Sequence, residues 1–215
     1  MRVKICGLRS RAEAAAAVSA GASYVGFTFF PPSPRNVSLA DARWVAESVP
    51  EGVIRVALTV NADDAELEAI VANVPVEMLQ LHGVETPERV AEIRARFGKL
   101  VMKAVGIAGE ADVALLSDYA RVADQILVDA RVQDSSRPGG NGRAFDWSLI
   151  RNRRWERPWM LAGGLTPANV GEAVRMTGAE QVDVSSGVEA RPGFKDARLI
   201  AAFVRAARDA ERLEA

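Results

Sequence analysis

Cys6 is the only cysteine in the chain and lies two residues after Lys4. A thiolate can act as a general base when nearby positive charge lowers the pKa of the thiol toward neutrality. A free cysteine is also among the most buried residue types and often only packs in a core. The residue types leave both interpretations of Cys6 open. We predict that Lys4, in the same segment, contacts a bound ligand.

Asp129 directly follows the apolar residues 126–128 and is a second candidate for proton transfer. A carboxyl group that stays protonated in a partly desolvated site can act as a general acid, whereas a carboxylate that caps the next loop is the alternative. His82 is the only histidine, and no carboxylate cluster with ligand spacing accompanies it. We therefore predict that His82 lines a site or packs beneath it, and that the chain holds no metal.

Arg35 follows three prolines in the segment 31–34. The prolines restrict the backbone and position a guanidinium that suits bidentate recognition of a carboxylate. An arginine exposed near the start of a helix is the alternative. Asp183 is predicted either to orient the hydroxyl groups of a sugar or to support a neighbouring loop.

Three glycine-rich segments predict a phosphate site. Glycine lets backbone N–H groups approach an anion closely, and a helix N-terminus favours negative charge. The residues predicted to bind phosphate are Gly140, Asn141, Gly142, Gly163, Gly164, Ser185, Ser186 and Gly187.

Strand-like and helical segments alternate along the whole chain. The predicted strands cover residues 3–6, 24–29, 54–60, 78–82, 100–105, 125–129, 159–162 and 181–185. Helical patterns follow each strand, two of them opening with Thr-Pro pairs at 86–87 and 166–167. Eight units favour a single (β/α)₈ barrel over residues 1–215, although the count alone also permits an open doubly wound sheet. All the candidate residues fall at strand ends or in the loops after them, where barrels place their sites.

The composition excludes several classes of protein. Hydrophobic residues make up 49% and charged residues 26% of the 215 residues, which is typical of a globular domain. A net charge of −1 provides no overall basic field for a nucleic acid or an anionic membrane. The sequence shows no signal peptide and no long apolar run, so we expect a soluble, cytoplasmic protein. Whether it is a monomer or a homodimer stays open.

Seven motifs, in order, resemble those of the phosphoribosylanthranilate isomerases of tryptophan biosynthesis. The two most specific are Lys4-Ile5-Cys6-Gly7-Leu8 and the run from Gly26 to Arg35 that ends in Ser-Pro-Arg. The other five are at residues 79–83, 127–129, 139–147, 161–165 and 183–189. Departures are small: Thr28, Asn36, Asn141 and Arg143 replace the usual residues, and Asn36 affects the packing on the anthranilate side.

The resemblance implies a (β/α)₈ barrel that carries out an Amadori rearrangement of phosphoribosylanthranilate with no metal and no organic cofactor. Cys6 would be the general base and Asp129 the general acid. Arg35 would hold the anthranilate carboxylate, and the glycine and serine loops would hold the phosphate.

Three alternatives have different sequence requirements. The related aminoaldose isomerases of histidine biosynthesis have a pair of aspartates at two opposed strand ends, whereas the first strand here ends in Cys6. Metal-dependent epimerases need several histidines. A phosphoribosyl-ligand sensor without catalysis needs neither Cys6 nor Asp129.

Overall fold

The computed structural model describes residues 1–130, 146–151, 153 and 155–212, and within them eight parallel strands close a barrel. Because β1 pairs with both β2 and β8, the predicted barrel is confirmed over the open sheet. The strands are β1 Arg2–Cys6, β2 Tyr24–Phe29, β3 Ile54–Thr59, β4 Met78–Leu81, β5 Leu100–Ile107, β6 Gln125–Ala130, β7 Trp159–Leu161 and β8 Gln181–Val184.

Helices cover the outside of the barrel. The α-helices in the described part of the chain are α1 Arg11–Ala20, α2 Leu39–Ala46, α3 Asp64–Asn73, α4 Pro87–Phe97, α5 Glu110–Val122, α6 Val170–Thr177 and α7 Ala197–Arg212. A 3₁₀ helix, Trp147–Ile150, lies between β6 and β7, where a short helix from Asp146 was predicted. None of the described helices is both long and apolar enough to cross a membrane.

Side-chain caps fix most helix starts where the sequence predicts them. Ser10 accepts a hydrogen bond from the backbone of Glu13 at the start of α1, and Thr86 accepts one from Arg89 at the start of α4. The predicted start at Thr166-Pro167 was wrong. Asn169 Oδ1 accepts from the backbone N of Thr166 at 2.7 Å, which closes a turn and delays α6 to Val170.

The core has two layers because successive strand residues face opposite sides of the sheet. A large cluster fills the space between the barrel and its helices. A smaller one fills the barrel interior and consists of Tyr24, Val56, Met78, Met102, Ala104, Leu127, Met160 and Ala162. The next inward positions toward the carboxyl ends of the strands include the polar residues Thr28, Gln80 and Asp129, so the interior changes from packed core to a partly polar site along its axis.

A two-stranded hairpin that the sequence analysis did not predict follows β8. It consists of β9 Glu189–Arg191 and β10 Phe194–Lys195, which pair antiparallel. Gly193 makes its turn with a φ of 81°, and a Cβ there would lie 2.5 Å from the carbonyl oxygen of Pro34. The hairpin therefore packs against the loop that carries Arg35.

Candidate active site

A cavity of about 490 Å³ opens at the carboxyl ends of the strands. Its wall includes Cys6, Arg35, His82, Asp129 and Asp183, all predicted from the sequence as site residues. A volume of this size is within the usual range for a small-molecule site. The barrel thus brings together residues that lie up to 177 positions apart in the sequence, because each lies near the carboxyl end of a strand or in the loop after it.

Cys6 is the last residue of β1 and is buried at the cavity wall. Its carbonyl oxygen accepts a hydrogen bond from Ser185 Oγ at 3.2 Å, which ties β1 to the loop after β8. Burial raises the pKa of the Cys6 thiol, while Lys4 and Lys195 act in the opposite direction. In the unliganded site, burial together with the negative charge of Asp183 outweighs the two lysines, so the pKa of the thiol lies above its ordinary value.

Lys4 does not reach the cavity, contrary to the predicted ligand contact. It is not among the described lining residues, and its side chain is 0% exposed. Its Nζ donates to Asp183 Oδ1 at 2.9 Å. The register of the barrel produces this pair, since Lys4 lies opposite Asp183 where β1 meets β8. Asp183 itself lines the cavity, so one carboxylate both faces a ligand and holds a buried lysine.

Asp129 is held by two hydrogen bonds. Its Oδ1 accepts from the backbone N of Ala130 at 2.7 Å, and its Oδ2 lies 3.1 Å from His82 Nε2. Gln80 Nε2 lies 3.0 Å from His82 Nδ1 and donates to it, so the neutral imidazole carries its hydrogen on Nε2. His82 therefore lines the site, as predicted, and orients the carboxyl group of Asp129.

Arg35 lies at the cavity with most of its guanidinium engaged. Its Nε and Nη2 donate to the two carboxylate oxygens of Glu189 at 2.7 and 2.9 Å. Gly7, with a φ of 78°, lets the arginine pass, because a Cβ there would lie 2.6 Å from Arg35 Cδ. The predicted bidentate arginine is present, and in the unliganded protein its partner is a carboxylate of this chain.

Glu189 and Lys195 are the residues that sequence reasoning missed. Lys195 Nζ donates to Glu189 Oε1 at 2.8 Å and to the carbonyl oxygen of Ser185 at 2.9 Å. Burial raises the pKa of Glu189, but Arg35 and Lys195 outweigh it and hold that pKa below its ordinary value. The only sequence signal was a charged pair six residues apart after β8, which by itself predicts no partner.

The loops after β7 and β8 form the wall predicted to bind phosphate. Gly163, Gly164, Ser185 and Ser186 line the cavity. Gly163 and Gly164 have φ angles of 86° and 63°, which favour glycine. Gly187 is not among the described lining residues: a Cβ there would lie 1.9 Å from the Leu165 carbonyl oxygen, so close packing of the two loops requires glycine. The predicted residues Gly140, Asn141 and Gly142 lie outside the described residues.

The fold and the site together define a (β/α)₈-barrel protein with its ligand site at the carboxyl ends of the strands. A thiol, a histidine-oriented carboxyl group and glycine-rich loops lie around one cavity. Residues 3–206 match the family model described as N-(5'phosphoribosyl)anthranilate (PRA) isomerase. The chain belongs to this family, which confirms the resemblance inferred from the motifs.

Relatives and solved structures agree with the family match. An N-(5'-phosphoribosyl)anthranilate isomerase of Cereibacter sphaeroides is 60% identical over 209 residues, 97% of this chain and 99% of the relative. One from Paracoccus denitrificans is 57% identical over 203 residues, 94% of each chain.

Among solved structures, phosphoribosyl anthranilate isomerase from Thermotoga maritima superimposes with a TM-score of 0.87 at 39% identity. A second, in complex with reduced 1-(o-carboxyphenylamino)-1-deoxyribulose 5-phosphate, superimposes with a TM-score of 0.84 at 38% identity. In both comparisons the match covers 97% of this chain and 99% of the other.

Proposed function

We propose that the protein catalyses the Amadori rearrangement of N-(5-phosphoribosyl)anthranilate to 1-(2-carboxyphenylamino)-1-deoxyribulose 5-phosphate. The observation that carries this proposal is the placement of Cys6 and Asp129 around one cavity, in a chain that belongs to the isomerase family. The substrate is a small molecule, as in the solved structure with the reduced ligand.

The reaction needs one acid and one base at different atoms of the sugar. Asp129 donates a proton to the furanose ring oxygen as the bond from C1′ to that oxygen breaks, and the nitrogen lone pair forms a protonated imine. The thiolate of Cys6 then takes the proton from C2′, which gives an enolamine that tautomerises to the ketone. Each positioned acid or base contributes about 10²- to 10⁴-fold to the rate.

Different polar groups around the cavity suit different parts of the substrate. The backbone of the loops after β7 and β8 faces the region assigned to the phosphate, with Gly163, Gly164 and Ser186 on the wall. Arg35 lines the cavity together with Phe30 and Pro34, and we assign it the anthranilate carboxylate. Asp183 faces the cavity from β8 and suits the hydroxyl groups of the ribose.

The test is the decay of anthranilate fluorescence when purified protein is added to freshly generated phosphoribosylanthranilate. The wild-type protein should accelerate the decay, and Cys6→Ala should lower kcat by about 10²-fold or more. Decay that does not exceed the spontaneous background would refute the proposed function and leave a ligand-binding protein. Near-normal turnover in Cys6→Ala would keep the reaction but remove the thiol from the mechanism.

We predict that the protein is either a monomer or a homodimer in solution. One related solved structure is described as monomers of a dimeric isomerase. Light scattering of the purified protein over a range of concentrations decides between the two states.

A further inference from the structure

We propose that Lys4 is a positioning residue for the reaction: its buried ammonium, held by Asp183, stabilises the thiolate of Cys6 without contacting the substrate. This inference rests on the proposed role of Cys6 as the general base. The sequence analysis predicted that Lys4 contacts the ligand. We propose instead that Lys4 affects the reaction by stabilising the thiolate.

The strand geometry places the two side chains next to each other. Lys4 and Cys6 are two residues apart on β1, so both side chains face the barrel interior. On the neighbouring strand, a Cβ built on Gly26 would lie 3.0 Å from Cys6 Sγ and 3.3 Å from Lys4 Nζ. Both atoms therefore border the same small space, and the absence of a side chain at Gly26 leaves room for them to approach each other.

Asp183 fixes the ammonium from the other side. The backbones of paired strands lie about 4.8 Å apart, and Lys4 is in register with Asp183 across the junction of β1 and β8. The resulting ion pair at 2.9 Å holds the ammonium, while Lys4 Nζ and Cys6 Sγ both lie close to Gly26. Lys4 thus lies between the side chain of Asp183 and a thiol that becomes negative when it acts as a base.

The charged groups that face Cys6 come from three elements. Lys4 lies on the same strand, Asp183 on β8 and Lys195 on β10, and the residue opposite Cys6 on β2 is the uncharged Gly26. Among these charges Lys4 has the largest effect on the thiol and favours the thiolate, Asp183 opposes it, and Lys195 has the smallest effect.

The two lysines near the thiol differ in how well the protein stabilises their charge. Burial lowers the pKa of Lys4, but Asp183 and Cys6 outweigh it, so that pKa lies above its ordinary value. Burial also lowers the pKa of Lys195, and because Glu189 does not fully offset this effect, that pKa lies below its ordinary value. Lys4 is therefore the cation that the site is built to keep charged beside the thiol.

The experiment is a pH titration of the thiol in the unliganded full-length protein. Cys6 is the only cysteine, so the rate of alkylation by iodoacetamide reports on this thiol alone. Lys4→Met should lower the alkylation rate at a fixed pH by about tenfold or more, because an opposite charge at this range shifts a pKa by about one unit or more. Asp183→Asn should raise the rate, because it removes a negative charge and leaves Lys4 in place.

Two further variants guard against damage to the fold. The double variant Lys4→Met with Asp183→Asn leaves no unpaired buried charge, and it should still slow alkylation, because Lys4 affects the thiol more strongly than Asp183 does. The double variant Lys103→Met with Glu85→Gln removes another buried ion pair without leaving an unpaired charge, and it should leave the alkylation profile unchanged. The pH dependence of kcat/KM should shift upward in the Lys4 variants, together with the alkylation profile.

Opposite shifts for Lys4→Met and Asp183→Asn support the proposal, since general damage would move both in the same direction. An alkylation profile of Lys4→Met, or of the double variant if the single one does not fold, that matches the wild type would overturn it. The readout stays informative if the proposed function fails, because alkylation needs no turnover. Full activity in Cys6→Ala would refute the role of the thiol while leaving its ionisation, and the effect of Lys4 on it, as measured.

Discussion

Two buried lysines, Lys4 and Lys103, form ion pairs of nearly the same length on opposite faces of the barrel wall. Lys4 faces the interior and pairs with Asp183 at 2.9 Å, whereas Lys103 faces the helices and pairs with Glu85 at 2.7 Å. The difference in face follows from strand alternation: Met102 and Ala104, the neighbours of Lys103 on β5, belong to the interior cluster.

The third partner of each pair determines what the pair does. Lys4 is beside a thiol in the cavity wall. Lys103 also donates to the backbone carbonyls of Leu81 and Gly83, at 3.3 and 2.7 Å, and so braces the loop after β4. Burial lowers the pKa of Lys103 despite the opposing effect of Glu85. We infer that the inner pair serves the chemistry and the outer pair serves stability.

The largest expected effect is on stability, from Lys103→Met. Removing one partner of a buried ion pair costs about 3–5 kcal/mol in the free energy of unfolding, because the remaining charge is buried without compensation. Denaturant unfolding followed by circular dichroism measures the loss. The double variant Lys103→Met with Glu85→Gln should recover part of it. A Lys103→Met variant that is stable but inactive would mean that the Lys103–Glu85 pair contributes to catalysis, and the proposed difference between the two pairs would be wrong.

Asp129 faces the barrel interior, so Asp129→Asn should lower the rate of the reaction rather than the stability of the fold. Because an amide cannot donate the proton required to open the ring, kcat should fall by about 10²-fold or more, with little change in the melting temperature. The fluorescence assay and a thermal melt on the same sample measure both quantities. Unchanged kcat would mean that another group supplies the proton.

Glu189→Gln should have an intermediate effect on substrate binding. Without the carboxylate, Arg35 loses its two charge-assisted hydrogen bonds and its fixed orientation, so KM should rise by about tenfold while kcat changes less. A fall in kcat without a change in KM would contradict the assignment of Arg35 to the anthranilate carboxylate.

The same variant tests the stability of the hairpin against acid. Burial opposes the ionised form of Glu189, but Arg35 and Lys195 hold its pKa below the ordinary 4.5. The stability it contributes is therefore present above pH 4.5 and is lost as the pH falls through the lower folded-state pKa. Acid unfolding of Glu189→Gln should depend less on pH in this range, and an unchanged pH dependence would mean that the pair is energetically neutral.

The barrel and the ends of its strands could be predicted from the sequence because they depend on local patterns. Alternating apolar runs, Thr-Pro helix starts and the position of Asp129 after an apolar run are all visible within a few residues. The hydrogen bonds of Asn169 could not be anticipated in this way, because its side chain closes a turn back to Thr166 that competes with an earlier helix start.

The parts of the site that could not be predicted depend on barrel closure. Lys4 pairs with Asp183 across 179 positions and Arg35 with Glu189 across 154, and both contacts exist only once β8 has paired with β1. The two-residue spacing of Lys4 and Cys6 was the one local sign that both side chains face the same side. Which side they face is determined by the register of closure.

His82→Gln should have the smallest effect on kcat. It tests whether His82 only orients the carboxyl group of Asp129 or also takes part in the proton transfer. The imidazole donates a single hydrogen bond to Asp129 Oδ2, while the backbone N of Ala130 continues to hold Oδ1. The loss of one such bond corresponds to roughly a 3- to 10-fold decrease in kcat. A decrease as large as that of Asp129→Asn, measured in the same assay, would mean that His82 takes part in the proton transfer itself. In that case the chemistry on the inner face would extend beyond the thiol and the carboxyl group to the loop braced by Lys103, and the separation between the inner and outer ion pairs would no longer hold.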